Sequence, residues 1–310
     1  MKICYVSYEY PPQFGGGIGT YVGNMAKLLS QKGEEVHIIT YKANTLPEQE
    51  VIDGVHIHRI AMEGSQMAQI NDASSSELST LLYWTLYSEK VLRKIEELHV
   101  AYQINIYEFC DYRGEGYHAL LAKRLNNQFK ETVFIVRLHT ALFTLNEYNN
   151  VSVHNPGMEQ LVNFENLPML LADQIVSPTK ILGKMTETYL SLANPVTILP
   201  HPIDIDQIPL SNKRSESNHY LYVGRLEKRK GVEDLIRAAI KVMEDDSSIR
   251  LKLIGGDTDT GPKGQSMRAY LNSLIPKNLQ DNIIFIDRIP RQEVIKEYAS
   301  AKAAIFPSLF

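Results

Sequence analysis

Two short stretches of the chain combine small residues or cations in a way that suits an anion. Near the start, Pro11-Pro12-Gln13-Phe14-Gly15-Gly16-Gly17-Ile18-Gly19-Thr20 runs straight into a helix-patterned segment. Consecutive glycines let a backbone approach a ligand closely, and the unpaired N–H groups and positive dipole end of a helix attract an oxyanion. Gly16 and Gly17 are therefore candidates for sugar or phosphate binding, although the same residues also suit a flexible turn. Further along, Val223-Gly224-Arg225-Leu226-Glu227-Lys228-Arg229-Lys230-Gly231 ends a strand-patterned run at Gly224. Arg225 can grip a phosphate through two parallel hydrogen bonds and Lys230 adds a point charge, so the pair can hold a diphosphate and stabilise it as a leaving group. A solvated loop carries charges just as readily, and composition alone does not separate the two.

Three further groups stand at ends of strand-patterned runs. His139 follows the run 133–138, at the end of an open α/β sheet where ligands bind, and a histidine there serves either a site or the scaffold. Glu108-Phe109-Cys110-Asp111-Tyr112-Arg113-Gly114-Glu115-Gly116 mixes carboxylates, aromatics and glycines, as a polyol site would, or simply leads into a helix. Asp257-Thr258-Asp259 puts two carboxylates where they could share a divalent cation, but no third ligand is in view and no metal is assigned. Dinucleotide binding is disfavoured. The G-x-G-x-x-G spacing meets Thr20 in one register and Val22 in the other, and Ile39-Thr40-Tyr41 stands where a ribose-binding carboxylate is required. No G-K-[ST] follows the glycines, which excludes a P-loop.

The elements that must position these residues alternate in type. Strand-like runs are read at 3–7, 35–40, 104–108, 133–138, 174–177 and 196–199, with helical periodicity at 20–31, 77–98, 116–126, 158–172 and 181–192. Asp53-Gly54 between two short runs signals a hairpin. The breaker-rich segment 200–218 marks a boundary, giving domains at residues 1–205 and 206–310. A second series follows, with strands at 220–224, 251–255, 283–286 and 303–306 and helices at 232–243, 265–274 and 292–299. The fold class is α/β: two Rossmann-like domains facing a cleft. A length of 310 residues supports two cores, and 44% hydrophobic with 22% charged residues is an ordinary globular balance. The net charge of −4 gives no basic excess for nucleic acid or an anionic membrane, and leaves room for a local basic site. Cys4 and Cys110 lie far apart without C-x-x-C spacing, arguing against disulfides or zinc; with no signal-like or spanning apolar stretch, a cytoplasmic location is expected. The run 303–306 reads as a buried parallel strand with no helix after it to cover the sheet, as if the chain were a truncated piece of a longer protein.

These motifs, in this order, resemble the large family 4 of retaining glycosyltransferases, which have the two-Rossmann-domain GT-B fold and use nucleotide-diphosphate sugars. Gly15-Gly16-Gly17-Ile18-Gly19-Thr20-Tyr21-Val22 looks like the family's first glycine loop, and Gln31-Lys32-Gly33-Glu34-Glu35-Val36 like its G-H-E-V segment. Arg137-Leu138-His139-Thr140 resembles its histidine motif, and Ala172-Asp173-Gln174-Ile175-Val176-Ser177-Pro178-Thr179 its A-D-x-I-I-x-x-S segment. Ile198-Leu199-Pro200-His201-Pro202-Ile203-Asp204 is similar to the I-P-N-G-V-D linker, with His-Pro in place of Asn-Gly. Val223-Gly224-Arg225-Leu226-Glu227-x-x-Lys230-Gly231 is the most specific match.

The resemblance implies that Arg225 and Lys230, beside Gly224, hold the donor diphosphate, that Gly16 and Gly17 close on it from the other domain, and that His139 touches the donor sugar near the reacting centre. The nucleotide base would lie by Asp287, Arg288 and Ile289, where the family usually has Gly at position 287. The implied reaction is sugar transfer to a glycan, lipid or small-molecule acceptor, with retention, no cofactor and no essential metal, the leaving phosphate taking the acceptor proton. Polysaccharide biosynthesis and a peripheral contact with the inner face of a membrane are family-level expectations. The family's E-x-x-x-x-x-x-x-E motif would begin just after Phe310, which implies weak turnover or none. The alternative from another class is a non-catalytic nucleotide- or glycan-binding protein.

Overall fold

The computed structural model describes residues 1–12, 16–43, 46–64, 67, 70, 76–149, 156–203 and 219–309. Gly15, the segment 150–155 and the expected boundary near 205 fall outside the described residues. By contact the chain forms two compact units, one of Met1–Thr144 with Ser152–Ile203 and one of Leu145–Val151 with Asp204–Phe310.

The first unit is built on an eight-stranded sheet of β1 (Lys2–Val6), β2 (Glu35–Tyr41), β3 (Gln49–Ile52), β4 (Val55–Ile60), β5 (Ile106–Cys110), β6 (Val133–Arg137), β7 (Gln174–Ser177) and β8 (Thr197–Ile198), in the order β3-β4-β2-β1-β5-β6-β7-β8. All pairings are parallel except the β3–β4 hairpin. Its turn residues Asp53 and Gly54 both take positive φ, +51° and +78°, which is the turn whose twist matches antiparallel strands. Ile3, Cys4, Tyr5 and Val6 are all buried, as a strand covered on both faces requires. The cover comes from α1 (Gly17–Gln31), α2 (Ser76–Tyr102), α3 (Tyr117–Leu125), the first residues of α4 (Leu142–Asn149), which from Leu145 on belongs to the second unit, α5 (Pro156–Leu171) and α6 (Lys180–Leu190). Because β2 lies on one side of β1 and β5 on the other, the loops after β1 and β5 diverge and open a crevice at their carboxyl ends. Cys4 and Cys110 are free and buried, and burial pushes both thiols far above their ordinary range.

The second unit holds a parallel sheet of β9 (His219–Val223), β10 (Arg250–Ile254), β11 (Ile283–Ile286) and β12 (Ala303–Ala304), in the order β11-β10-β9-β12. It carries α7 (Val232–Asp245), α8 (Met267–Leu274) and α9 (Arg291–Ser300). Val232, Leu235 and Ile236 on α7 are buried at helical spacing and join Leu251, Leu253, Met267 and Leu271 in one core. Here the order runs outward from β9 through β10 to β11 and then returns to β12 on the other side of β9, so the crevice opens at the loop after β9.

One expectation needs correction. The apolar run 303–306 predicts a buried strand, yet Ala303 and Ala304 are exposed, because β12 pairs with β9 at the sheet edge and of this run Ile305 turns into the core. Beyond His139 the chain forms α4, whose first residues Leu142 and Phe143 are buried. Among the described residues no helix is long and apolar enough to cross a membrane.

Candidate active site

In the first unit the crevice is lined from four elements. Gly16 caps α1, its carbonyl accepting from Thr20 N–H (3.1 Å) and from the Thr20 hydroxyl (2.9 Å). A Cβ on Gly16 would run into the Glu9 carboxylate, whereas a Cβ on Gly17 would meet nothing within 4 Å. One turn into α1, the Tyr21 hydroxyl donates to Glu108 Oε1 (2.7 Å) on β5. The same oxygen accepts from Arg137 Nε (2.9 Å) at the end of β6, and Arg137 Nη1 donates to the Leu199 carbonyl (3.1 Å) beyond β8. The guanidinium also lies 4.8 Å from the Tyr21 ring centre. On this base sit two imidazoles: His139 is 5.2 Å and His201 4.4 Å from the Tyr21 ring, and the two histidines stack at 5.1 Å. Burial, reinforced by Arg137, holds both neutral, with His139 pushed down to about 3 and His201 to about 4.

Buried carboxylates pin the surrounding loops by accepting backbone N–H groups. Asp111 Oδ2 takes His139 N–H (2.9 Å), Glu115 Oε2 takes Tyr8 N–H (2.9 Å), and Glu165 takes those of Arg113 (2.7 Å) and Leu142 (2.6 Å). Burial lifts Asp111 to about 8 and Glu165 to about 7, against those hydrogen bonds.

In the second unit, Gly224 follows β9 and donates its N–H to the Ile254 carbonyl (2.9 Å). Its own carbonyl occupies the space a Cβ on Gly255 would need, so the loops after β9 and β10 meet backbone to backbone. The Tyr222 hydroxyl holds the Arg225 carbonyl (2.7 Å). A single turn, Lys228–Lys230, closes at Gly231, where φ is +66° and a Cβ would overlap the Pro307 carbonyl. Residues 225–230 carry four cations and one carboxylate. That carboxylate, Glu227, is buried and serves Arg229 (3.0 Å), Arg225 (3.2 Å) and the Asn149 amide (2.7 Å), while Asn149 Oδ1 accepts Arg229 N–H (3.1 Å). Lys230 makes no salt bridge among the described residues, and burial together with Arg229 and Arg225 lowers its pKa, Glu227 opposing. Arg225 is more than half exposed. In this turn, at the end of the crevice strand, cations outnumber carboxylates.

Asp287, Arg288 and Ile289 follow β11, with Asp287 and Arg288 exposed and Ile289 half-buried. Arg268 bonds both the Asp287 carboxylate (2.7 Å) and the Gly255 carbonyl (3.4 Å), bringing that loop to the one touching Gly224. Asp257 is occupied with the start of α8, accepting from Ser266 Oγ (2.5 Å) and Arg268 N–H (2.8 Å). Among the described residues no three His, Cys, Asp or Glu side chains are arranged to hold a metal.

Thus the structure gathers Gly16, Glu108 and His139 at one crevice and Gly224, Arg225, Lys230 and the segment 287–289 at another. Glu108 is spent on Arg137 and Tyr21 and acts by positioning them. Sequence reasoning missed Tyr21, Arg137 and Asn149 as parts of these arrangements. Tyr21 and Arg137 did stand inside the quoted motifs; Asn149 carried no signal.

Comparison with known proteins bears on the family and the fold. Residues 15–207 match the family described as Glycosyltransferase Family 4, and residues 205–310 match Glycosyl transferases group 1. An uncharacterized glycosyltransferase of Methanocaldococcus jannaschii is 24% identical over all of this chain and 75% of its own length. Among solved structures, the sucrose-phosphate synthase of Thermosynechococcus elongatus superposes with a TM-score of 0.72 at 18% identity, covering 100% of this chain and 76% of that one. The catalytic domain of starch synthase IV from Arabidopsis thaliana, bound to ADP and acarbose, gives 0.69 at 17% identity over 100% and 78%. With its family match covering more than half the sequence and its fold shared with these structures, the chain belongs to glycosyltransferase family 4 and is a GT-B glycosyltransferase.

Proposed function

We propose that the chain transfers a sugar from a nucleotide-diphosphate donor to a glycan, lipid or small-molecule acceptor, with retention of anomeric configuration and without a metal. The observation that carries this reading is the turn after β9, where Lys230 is half-buried without an ion pair among the described residues and Arg225 reaches solvent beside it. Such a turn neutralises a diphosphate in the ground state and, more strongly, the charge that develops on it as the glycosidic bond breaks. Arg225 and Lys230 are the cations that can do this without a divalent ion. Gly224 lets the phosphates approach the backbone, and the segment 287–289 takes the base. In the first unit Gly16 and Gly17 offer helix N–H groups to the donor, and His139, held neutral, hydrogen-bonds the sugar. Because Glu108 is engaged by Arg137 and Tyr21, no side chain is assigned as general base, and the leaving phosphate takes the acceptor proton. The acceptor is read by loops 108–116 and 140–156, of which 150–155 lie outside the described residues.

The test is calorimetric titration of UDP, GDP and ADP into the chain and into Arg225→Ala, with EDTA present. One nucleotide is expected to bind, and to bind at least about tenfold more weakly to the variant, as loss of a charge-assisted hydrogen bond demands. A chain that binds none of the three, or binds only with added divalent metal, defeats the reading.

A further inference from the structure

His201 stands where the family's linker has Asn, and the structure gives it a definite place. Its ring lies 4.4 Å from Tyr21 and stacks on His139 at 5.1 Å with 23° between planes. The guanidinium that holds Tyr21 through Glu108 also holds the Leu199 carbonyl, two residues before His201, so one cation fixes both the ring underneath and the chain leading to the imidazole. Among the described residues each histidine has one buried nitrogen without a protein partner, Nε2 of His139 and Nδ1 of His201. A buried N–H lacking an acceptor is harder to tolerate than a buried lone pair, so each ring carries its proton on the other nitrogen, Nδ1 of His139 and Nε2 of His201. Both rings are neutral, and both residues keep partial exposure. Two uncharged N–H donors on a rigid aromatic base suit the hydroxyls of a sugar ring; a phosphate is better served by cations, which this chain keeps in its other unit.

We infer that His201 is a specificity-determining residue that, beside His139, donates a hydrogen bond from Nε2–H to a hydroxyl of the transferred sugar. The inference rests on the nucleotide-sugar reading above. The experiment compares calorimetric affinities of UDP, GDP and ADP with those of UDP-glucose, GDP-mannose and ADP-glucose, for the wild-type chain, His201→Phe and His201→Asn. The phenylalanine keeps a ring against Tyr21 and His139 but has no donor; the asparagine restores an N–H. For the nucleotide that binds, His201→Phe should leave free-diphosphate affinity within about twofold and cut the ratio of sugar-nucleotide to diphosphate affinity roughly five- to tenfold, the worth of one neutral hydrogen bond. His201→Asn should recover part of that ratio, and His201→Phe should keep the wild-type melting temperature. A wild-type ratio in His201→Phe overturns the proposal, as does an equal fall in both affinities, which marks a structural role. A wild-type chain that binds no nucleotide defeats the nucleotide-sugar reading and this proposal with it.

Discussion

Replacing Arg137 with methionine tests the network beneath the two imidazoles. The side chain is 2% exposed and donates to Glu108 and to the Leu199 carbonyl; without it the nearly buried Glu108 keeps only the Tyr21 hydroxyl, and the carbonyl loses its donor. Stranding one member of a buried pair costs about 3–5 kcal/mol, whereas removing both charges together often costs little. Arg137→Met is therefore expected to destabilise the first unit by about 3–5 kcal/mol, and Arg137→Met with Glu108→Gln by about 1–2 kcal/mol, leaving a coupling of at least about 1 kcal/mol in the double-mutant cycle even if Glu108→Gln alone costs nothing. Urea is the denaturant of choice because, unlike guanidinium, it does not screen the charges. The chain has a single tryptophan, Trp84, buried on α2, so its fluorescence reports unfolding of the first unit alone. A loss below about 1 kcal/mol for Arg137→Met, or additivity within about 0.5 kcal/mol, would refute the account of this pair as the unit's electrostatic anchor.

Gly17→Ala, with open space around the new methyl, should melt within a few degrees of wild type yet weaken calorimetric nucleotide-sugar binding. Gly231→Ala combines a left-handed φ of +66° with a clash against Pro307 and should cost the second unit about 2 kcal/mol or more, read by urea denaturation followed through backbone circular dichroism. The Asp111 carboxyl, lifted to about 8, favours the folded state when protonated, so wild-type stability from this group is intact at acid pH and falls as pH rises towards 8; Asp111→Asn should gain on wild type over that range in Trp84-monitored urea melts. His58 is buried against His37 (3.0 Å) and pushed down from 6.5 to about 4, so the unfolded chain takes its proton first and the first unit should lose up to about 3 kcal/mol as pH drops from about 6.5 to 4, a slope that His58→Gln should flatten.

Much of the fold is written locally. Strands buried on both faces, such as Ile3 to Val6, read as apolar runs, the Asp53-Gly54 turn names its own hairpin, and α7 shows its buried face by spacing. Of the candidate site, Gly16, Gly17, Arg225 and Lys230 stand out in the sequence only as candidates, because glycines also suit a turn and cations a solvated loop. What could not be read depends on the sheet order. Tyr21, Glu108, Arg137 and Leu199 come from α1, β5, β6 and the segment after β8, and become neighbours only once those strands are side by side. Asn149 is hidden for a related reason: its helix carries buried residues without a clear apolar stripe, and its partners Glu227 and Arg229 lie about 80 positions away in sequence. Residues 303–306 misled because an apolar run predicts burial, and an edge strand with one neighbour does not supply it.

The sealed thiols have a practical consequence. Cys4 and Cys110 are both buried and held protonated, so neither offers a thiolate to an electrophile while the chain is folded. For native-state chemistry the protein behaves as cysteine-free. A cysteine introduced at an exposed position, Ile181 in the first unit or Val242 in the second, would then react alone. Dyes on one such position in each unit would report the distance between them with and without nucleotide, and no native residue would first have to be removed.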